Sequence, residues 1–184
     1  MGTSDNLQPS RVPPWSERSS KALRPNISAD IPDWSREAKR FFEWSPSRSL
    51  LASIRHYQKQ RNSRNPFRLL MRGIAVIRHR FWSVVTGADI PLNSRIGGGL
   101  LLPHPNGVVV HPDAPIGPNC LLFQQVTVAA GSQLGGHVDV GAGAKILGAS
   151  LGDHAVVGAN AVVTHDVAAG VTVVGIPARP LSKR

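Results

Sequence analysis

The chain has 184 residues, enough to bury one substantial core with an appendage, and it carries a net charge of +10. All of the excess charge lies in residues 1–86, which contain 16 Lys and Arg against 6 Asp and Glu, whereas residues 87–184 contain 5 of each. A basic arm is a weaker signal for nucleic acid than a basic stripe on a folded face. We therefore expect no nucleic-acid partner.

Cysteine content and hydropathy limit the protein class further. A single cysteine, Cys120, excludes an internal disulfide and gives no support to a metal or redox motif. The residues after Met1 lack the apolar core of a secretory signal, and no run approaches the roughly 18 apolar residues of a membrane span. These features predict a soluble protein of the cytoplasm.

The first half of the chain divides into an arm and a helical region. Residues 1–33 are rich in Pro, Ser and charged side chains without an apolar period, which predicts a disordered arm. Residues 34–86 become helical, with helices expected over 34–44 and 49–60, the latter capped by Ser49. Pro66 is well placed in the first turn of a third helix.

This third helix has an apolar stripe on one face and arginines on the other. The stripe consists of Leu69, Leu70, Gly73, Ile74, Ile77, Phe81 and Val85. We expect the stripe to be buried against the following domain or a neighbouring subunit. Contact of residues 66–86 with an anionic membrane surface is the less favoured alternative, and nucleic acid is less favoured still.

Residues 87–184 contain an aliphatic repeat with a period of six. Its members are Ile90, Ile96, Leu102, Val108, Ile116, Leu122, Val128, Leu134, Val140, Ile146, Leu151, Val157 and Val163. This period predicts a parallel β-helix of a little over four coils, in which each hexad forms one side of a triangle and the aliphatic residue points inward. The preceding helix would cap one open end. Two breaks in the register predict a two-residue bulge near Pro112–Pro115 and a tightened corner at 148–150.

Several segments of this repeat, taken in order, carry a resemblance. They are Asp89-Ile90, fifteen residues before His104-Pro-Asn-Gly-Val-Val-Val, then Gln125-Val-Thr, Gly141-Ala-Gly-Ala-Lys-Ile-Leu-Gly148 and Gly175-Ile-Pro-Ala-Arg179. Over about residues 66–184 the chain resembles the serine acetyltransferases, members of the hexapeptide-repeat acyltransferases. The resemblance implies a mainly β fold, a left-handed parallel β-helix preceded by a short α-helical region. It also implies a homotrimer, with acetyl-CoA bound in a groove between neighbouring subunits and no metal.

The resemblance also implies roles for individual residues. His104 matches the family's general base, and Asp89 matches the aspartate that orients it. The chemistry asks for such a pair, because a hydroxyl is a poor nucleophile until a base takes its proton during attack on a thioester. The implied lining of the CoA groove is Ala129, Ala130, Gly131, Gly143, Ala144, Ala161, Ala178 and Arg179. Each of these small residues equally suits a corner or core position of the β-helix.

Three departures from the family pattern concern the acceptor. Pro103 replaces an acidic residue before the histidine, His111-Pro112 replaces Gly-Glu, and residues 128–134 lack a longer loop that helps hold the amino acid. L-serine, acetylated in cysteine biosynthesis, is the family default. The alternatives are a sugar or exopolysaccharide precursor and, from a different class, a non-catalytic scaffold. His111 and Asn106 are the candidate acceptor contacts.

The other histidines and the cysteine offer rival sites. A zinc site would need three convergent ligands, and none of His111, His137, His154 and His165 follows His104 by a full coil of 18 residues or a multiple of it. We therefore expect no metal. Cys120 stands at a small inward position, where a core role is expected rather than a nucleophilic one.

Overall fold

The computed structural model describes residues 27–39 and 43–181. Two α-helices, α1 (Pro46–Gln60) and α2 (Pro66–Thr86), precede a stack of short strands. Among the described residues, no helix is long and apolar enough to cross a membrane. Most of the arm expected over residues 1–33 lies outside the described ranges.

Prolines and polar caps set the bounds of both helices. Pro46 begins α1, where its missing N–H is not needed, so the helix starts before the predicted cap at Ser49, whose side chain is buried instead. The Asn65 side chain accepts a hydrogen bond from the N–H of Phe67 and so caps α2. Gly87 ends α2 in the left-handed conformation at φ +65°.

The predicted helix over 34–44 is wrong. Its described part forms one 3-10 turn, Trp34–Arg36, and residues 40–42 are outside the described ranges. The turn does not continue because the side chain of the next residue has partners elsewhere: Glu37 binds backbone N–H groups of the β-helix. Tertiary contacts therefore override the local helical pattern.

Eleven strands within the described ranges form three sheets, which are the three sides of a triangular coil. The strands are β1 (Val109–Val110), β2 (Leu121–Leu122), β3 (Thr127–Val128), β4 (Gln133–Leu134), β5 (Asp139–Val140), β6 (Lys145–Ile146), β7 (Ser150–Leu151), β8 (Val156–Val157), β9 (Val162–Val163), β10 (Thr172–Val174) and β11 (Arg179–Pro180). The first sheet has the order β1-β3-β6-β9, the second β11-β10-β8-β5-β2, and the third β4-β7. All neighbours are parallel except β10 and β11.

Aliphatic columns fill the interior of the stack. In the first sheet Val128 stacks between Val110 and Ile146, and in the second sheet Val140 stacks between Leu122 and Val157. All of these side chains are almost fully buried. The six-residue repeat is thereby confirmed as the inward position of a β-helix, and apolar burial is the main stabilising contribution to it.

The first coil is longer than those that follow, because its extra residues form a loop. Asp89 pairs with Val109, twenty residues later, whereas Val109 pairs with Thr127, only eighteen residues later. The insertion lies between Leu102 and Val110, so the predicted bulge near Pro112–Pro115 is wrong.

The error has a physical cause. Val108 and Val110 are both buried, since alternate residues of a strand point the same way. The sequence pattern therefore cannot tell which of the two valines belongs to the six-residue repeat. The predicted tightening after Ile146 is confirmed, because Lys145 pairs with Val162, seventeen residues later.

Residues 27–39 lie along the corner between the third and second sheets. The Asn119 side chain accepts a hydrogen bond from the N–H of Asp33 (2.8 Å) and donates to the carbonyls of Ser28 (2.7 Å) and Ile31 (2.8 Å). The backbone of this segment passes so close to Gly136 that a Cβ there would overlap it. Residues 27–33, which the sequence assigns to the arm, therefore lie against the β-helix, because the corner supplies partners for their backbone.

Arg55 of α1 and Glu37 close the open end of the first coil. The Arg55 guanidinium donates to the carbonyls of Ile96 and Gly97, both at 2.6 Å, and pairs with Glu37 at 2.8 Å. The same carboxylate accepts from the N–H groups of Gly99 (2.8 Å) and Leu100 (3.1 Å). One ion pair thus satisfies four backbone groups that have no coil beneath them.

The apolar stripe of α2 is not covered by the protomer's own β-helix. Ala75 and Thr86 are its buried residues, whereas Ile77 is 71% exposed and Phe81 55% exposed. Burial of the stripe against the following domain is therefore wrong, because α2 packs on α1 through a different face.

We expect Arg55→Ala to lower the free energy of unfolding by about 2–4 kcal/mol, because it leaves two backbone carbonyls and a nearly buried Glu37 without their partner. Arg48→Ala is the matched control: its pair with Glu43 is solvent-exposed on both sides and should contribute about 1 kcal/mol or less. Urea unfolding at fixed protein concentration measures both. Equal losses in the two variants would contradict the capping role.

Candidate active site

His104 stands on the two-residue insertion of the first coil. In the first coil, the inward residue Val108 comes six positions after the inward residue Leu102. In the next coil, the corresponding Val126 comes only four positions after Leu122. The extra length bulges at the corner between the second and first sheets, and the His104 side chain is exposed there. Prolines on both sides, Pro103 and Pro105, restrict the backbone of this loop.

Backbone hydrogen bonds fix the end of the His104 loop between two coils. Gly107 N–H donates to the Gly87 carbonyl at 2.8 Å, and the Asn106 carbonyl accepts from Gln125 N–H at 2.9 Å. Gly107 has φ +68°, and a Cβ there would lie 3.2 Å from the Gln125 side chain. A larger residue would therefore strain both the conformation and the stacking.

Asp89 lies in the first coil and forms a single β-bridge with Val109 of β1, the strand that follows His104. Its N–H donates to the Val108 carbonyl at 2.8 Å and its carbonyl accepts from Val110 N–H at 3.0 Å. The carboxylate is on the exposed outer face of the first sheet. Both Asp89 and His104 lie in the described ranges, where no hydrogen bond or ion pair joins their side chains.

The two candidate acceptor residues lie at different corners. Asn106 belongs to the His104 loop, and its side-chain amide lies over Gly87, where a Cβ would meet it at 3.0 Å. His111 follows β1 at the far end of the first sheet, where its Nδ1 accepts a hydrogen bond from Asp113 N–H at 3.2 Å. Within one protomer, Asn106 is therefore near the candidate base and His111 is a strand length away.

The candidate CoA residues flank the first sheet on both sides. Residues 129–131 form its corner with the third sheet, and Gly143 lies at its corner with the second, at φ +73°. The side chains of Ala144 and Ala161 point into the core, so these two residues offer only backbone to a groove. Ala178 and Arg179 lie in the tail, where Ala178 N–H donates to the carbonyl of Val162.

Sequence reasoning missed the outer column of the first sheet. Thr127 and Lys145 stack in register beside Val109, and each directly precedes an inward aliphatic residue. That position is the signal that could have found them, because neighbours in a strand point to opposite faces. Lys145 donates from Nζ to the Gln125 carbonyl at 2.5 Å and so lies close to the His104 loop.

Two histidines meet outside this region. The Nδ1 atoms of His137 and His154 are 2.8 Å apart at the corner between the third and second sheets, on successive coils. They are seventeen residues apart, the length of the shortened coil, so a fixed period of eighteen hides the pairing. In the part of the chain that the structure describes, no group of three or more His, Cys, Asp or Glu is placed to hold a metal ion.

Cys120 is a core residue. Its thiol donates to the Gly135 carbonyl at 3.2 Å, and burial raises the pKa of the thiol to about 12. The thiol therefore stays protonated at neutral pH and is a poor nucleophile.

The chain is similar to known proteins in sequence and in fold. No family model matches the chain. It is 41% identical over 105 residues to the serine acetyltransferase of Synechococcus elongatus, a match that covers 52% of this chain and 43% of that protein. Soybean serine acetyltransferase, solved without ligand, is 34% identical with a TM-score of 0.63, covering 75% of this chain and 58% of that one. A serine acetyltransferase solved in complex with CoA is 30% identical, again with a TM-score of 0.63, covering 75% and 57%.

The coils, their register and these likenesses define a left-handed parallel β-helix of the hexapeptide-repeat acyltransferases, which confirms the expected fold class. Within that class, the curated relatives and the solved structures to which the chain is similar are serine acetyltransferases. The chain spans only about half the length of the relatives that it matches.

We expect Cys120 in the native protein to react with iodoacetamide at pH 8 at least a hundredfold more slowly than in urea. With a pKa of about 12 only about one thiol in ten thousand is ionised at pH 8, and the thiol is also buried. Mass spectrometry follows the reaction, and the chain has one cysteine, so every adduct reports on this residue. Rapid native labelling would mean that the corner is open.

Proposed function

We propose that the chain is an acetyl-CoA-dependent O-acetyltransferase with His104 as general base. The observation that carries the proposal is the two-residue insertion: it raises an exposed histidine from a corner that is otherwise tightly wound, next to the outer face of the first sheet. A solved relative holds CoA, which is consistent with acetyl-CoA as co-substrate.

In the proposed reaction, the acceptor hydroxyl attacks the thioester carbonyl while His104 takes its proton. The tetrahedral intermediate then collapses, the C–S bond breaks, and the CoA thiolate leaves and recovers the proton from the imidazolium. An imidazole suits both transfers, because it gains and loses a proton near neutral pH. Backbone N–H groups stabilise the oxyanion.

Asp89 is the proposed positioning residue. A carboxylate beside the other ring nitrogen would fix the tautomer of His104 and stabilise its protonated form. Asp89 is joined by two backbone hydrogen bonds to Val108 and Val110, which directly follow the His104 loop, so the loop ends beside Asp89. We propose that the loop brings the two side chains together when substrate binds.

We propose that acetyl-CoA lies along the first sheet, in a groove between neighbouring protomers of a homotrimer. The small side chains at residues 129–131 and Gly143 allow the pantetheine chain to approach the backbone on either side. Lys145 and Arg179 supply cations for the phosphates, as such ligands require. We assign the reaction to the cytoplasm, in keeping with the single cysteine.

L-serine is the proposed acceptor, as the names of the relatives suggest. One observation favours a second candidate, a sugar or exopolysaccharide precursor. Only residues 129–132 separate β3 from β4, so the corner has no loop that could hold an amino acid from this side. A non-catalytic scaffold is the remaining alternative, and it would not need an exposed histidine on an insertion.

We expect His104→Ala to lower kcat by about 10²–10⁴ without loss of the fold, the usual contribution of a general base. His165→Ala is the matched control, because His165 is also exposed on the β-helix and its side chain hydrogen-bonds to the neighbouring Thr164. Thiol release from acetyl-CoA measures both, with circular dichroism for the fold.

Near-normal turnover by His104→Ala would contradict the proposal that His104 is the general base.

The variant Asp89→Asn tests the positioning role of Asp89. We expect a smaller loss of kcat than in His104→Ala, with a displaced pH profile and an unchanged KM for acetyl-CoA. A change in KM alone would mean that Asp89 contributes to binding and not to orientation of the base.

We expect L-serine to support thiol release with a KM in the ordinary micromolar to millimolar range. L-alanine, which lacks only the hydroxyl, is the control and should support none. Turnover of sugars or glycans but not of L-serine would contradict L-serine as the acceptor, while the proposed acetyl transfer would stand. No turnover with either class would favour the scaffold.

A further inference from the structure

Helix α2 presents a continuous apolar ridge to the outside of the protomer. Its residues recur at alternating intervals of three and four, which keeps them on one face of a helix. The ridge consists of Phe67, Leu70, Ile74, Ile77, Phe81 and Val84, all exposed, with Val84 at 84%. This is a far larger exposed apolar feature than scattered surface side chains produce, and it marks an interaction surface.

The ridge is bordered by cations. At 100° per residue, Arg78 lies at one edge of the ridge and Arg80 at the other. Residues 46–86, which form α1, α2 and their connection, contain nine Lys and Arg and no Asp or Glu. The ion pairs of this hairpin, as far as the described residues extend, use Arg48 and Arg55, at positions away from the ridge.

This combination of charge and apolar surface discriminates between partners. A second copy of the hairpin would bring the seven cations other than Arg48 and Arg55 against the same seven, with no carboxylate within residues 46–86 of either copy to pair them. Nucleic acid would satisfy the arginines and leave the apolar ridge without a partner. An anionic bilayer satisfies both, because side chains such as Phe81 enter the boundary of the acyl chains while arginines bind lipid phosphates.

We propose that the α2 ridge docks in the plane of an anionic lipid bilayer surface. Trp44 fits this arrangement: it is 73% exposed and packs edge-on against Trp82 of α2, with ring centroids 5.5 Å apart. Indole rings are preferred at the boundary between lipid and water. The proposal is independent of the acetyl transfer and would survive its failure.

Cosedimentation of the full chain with vesicles tests the proposal. We expect binding to vesicles of phosphatidylcholine with about 30% phosphatidylglycerol, and binding at least tenfold weaker to phosphatidylcholine alone, because about 1 kcal/mol per arginine comes from anionic lipid. Binding to the anionic vesicles should fall as NaCl rises from about 0.05 to 0.5 M, since salt screens the charges.

Two isoleucines give a matched pair of variants. Ile77 on the ridge is 71% exposed and Ile31, on the segment along the β-helix corner, is 72% exposed. We expect Ile77→Asp to weaken vesicle binding at least tenfold and Ile31→Asp to leave it unchanged. Arg80→Gln, which spares the apolar surface, should weaken binding to the anionic vesicles and not to phosphatidylcholine.

Light scattering after gel filtration gives the mass of each variant in the same buffers. An unchanged mass for Ile77→Asp supports the membrane as the partner. A reduced mass would overturn the proposal, because the ridge would then be buried between subunits. Equal binding to both vesicle compositions, no binding to either, or an equal loss from Ile31→Asp would overturn it as well.

Discussion

Each coil of a β-helix completes its backbone hydrogen bonds only through the coils on either side, so the ends of the stack are its vulnerable points. At the first end, Arg55 binds two carbonyls and Glu37 binds two N–H groups, each through one branched side chain. At the other end, β11 turns back antiparallel against β10. The helical hairpin is therefore a structural part of the β-helix. It fixes the start of the first coil, and with it the position of Asp89.

Much of the fold could be predicted from the sequence because the six-residue period is set by burial. Inward residues such as Val128 and Val140 must be aliphatic, and neither a helix nor a simple strand produces their spacing. The helix at 34–44 was wrong for the opposite reason, since its residues are held by contacts with a distant coil. Pro46 was a better signal for the start of α1 than the polar Ser49.

The candidate site was less predictable than the scaffold. Asp89 and His104 came from a resemblance, and their spacing of fifteen residues does not reveal that His104 stands on an insertion. A repeat assigned to Val108 instead of Val110 moved that insertion to residues 112–115, beyond β1 and away from His104. The two acceptor candidates, Asn106 and His111, lie at different corners, which only the three-dimensional register could separate. Pattern analysis finds which residues point inward, but outward residues such as Lys145 obey no such constraint.

The coils differ in length, from twenty residues in the first to sixteen between Val156 and Thr172, and yet the sheets remain in register. Every change in length falls at a corner, where backbone can be added or removed without moving an inward side chain. Corners are thus where such a chain acquires or loses chemistry. Removal of two residues from the loop around His104 would restore an ordinary coil of eighteen residues. Under the proposed function, a deletion at this one corner would therefore remove the base and leave the whole core untouched.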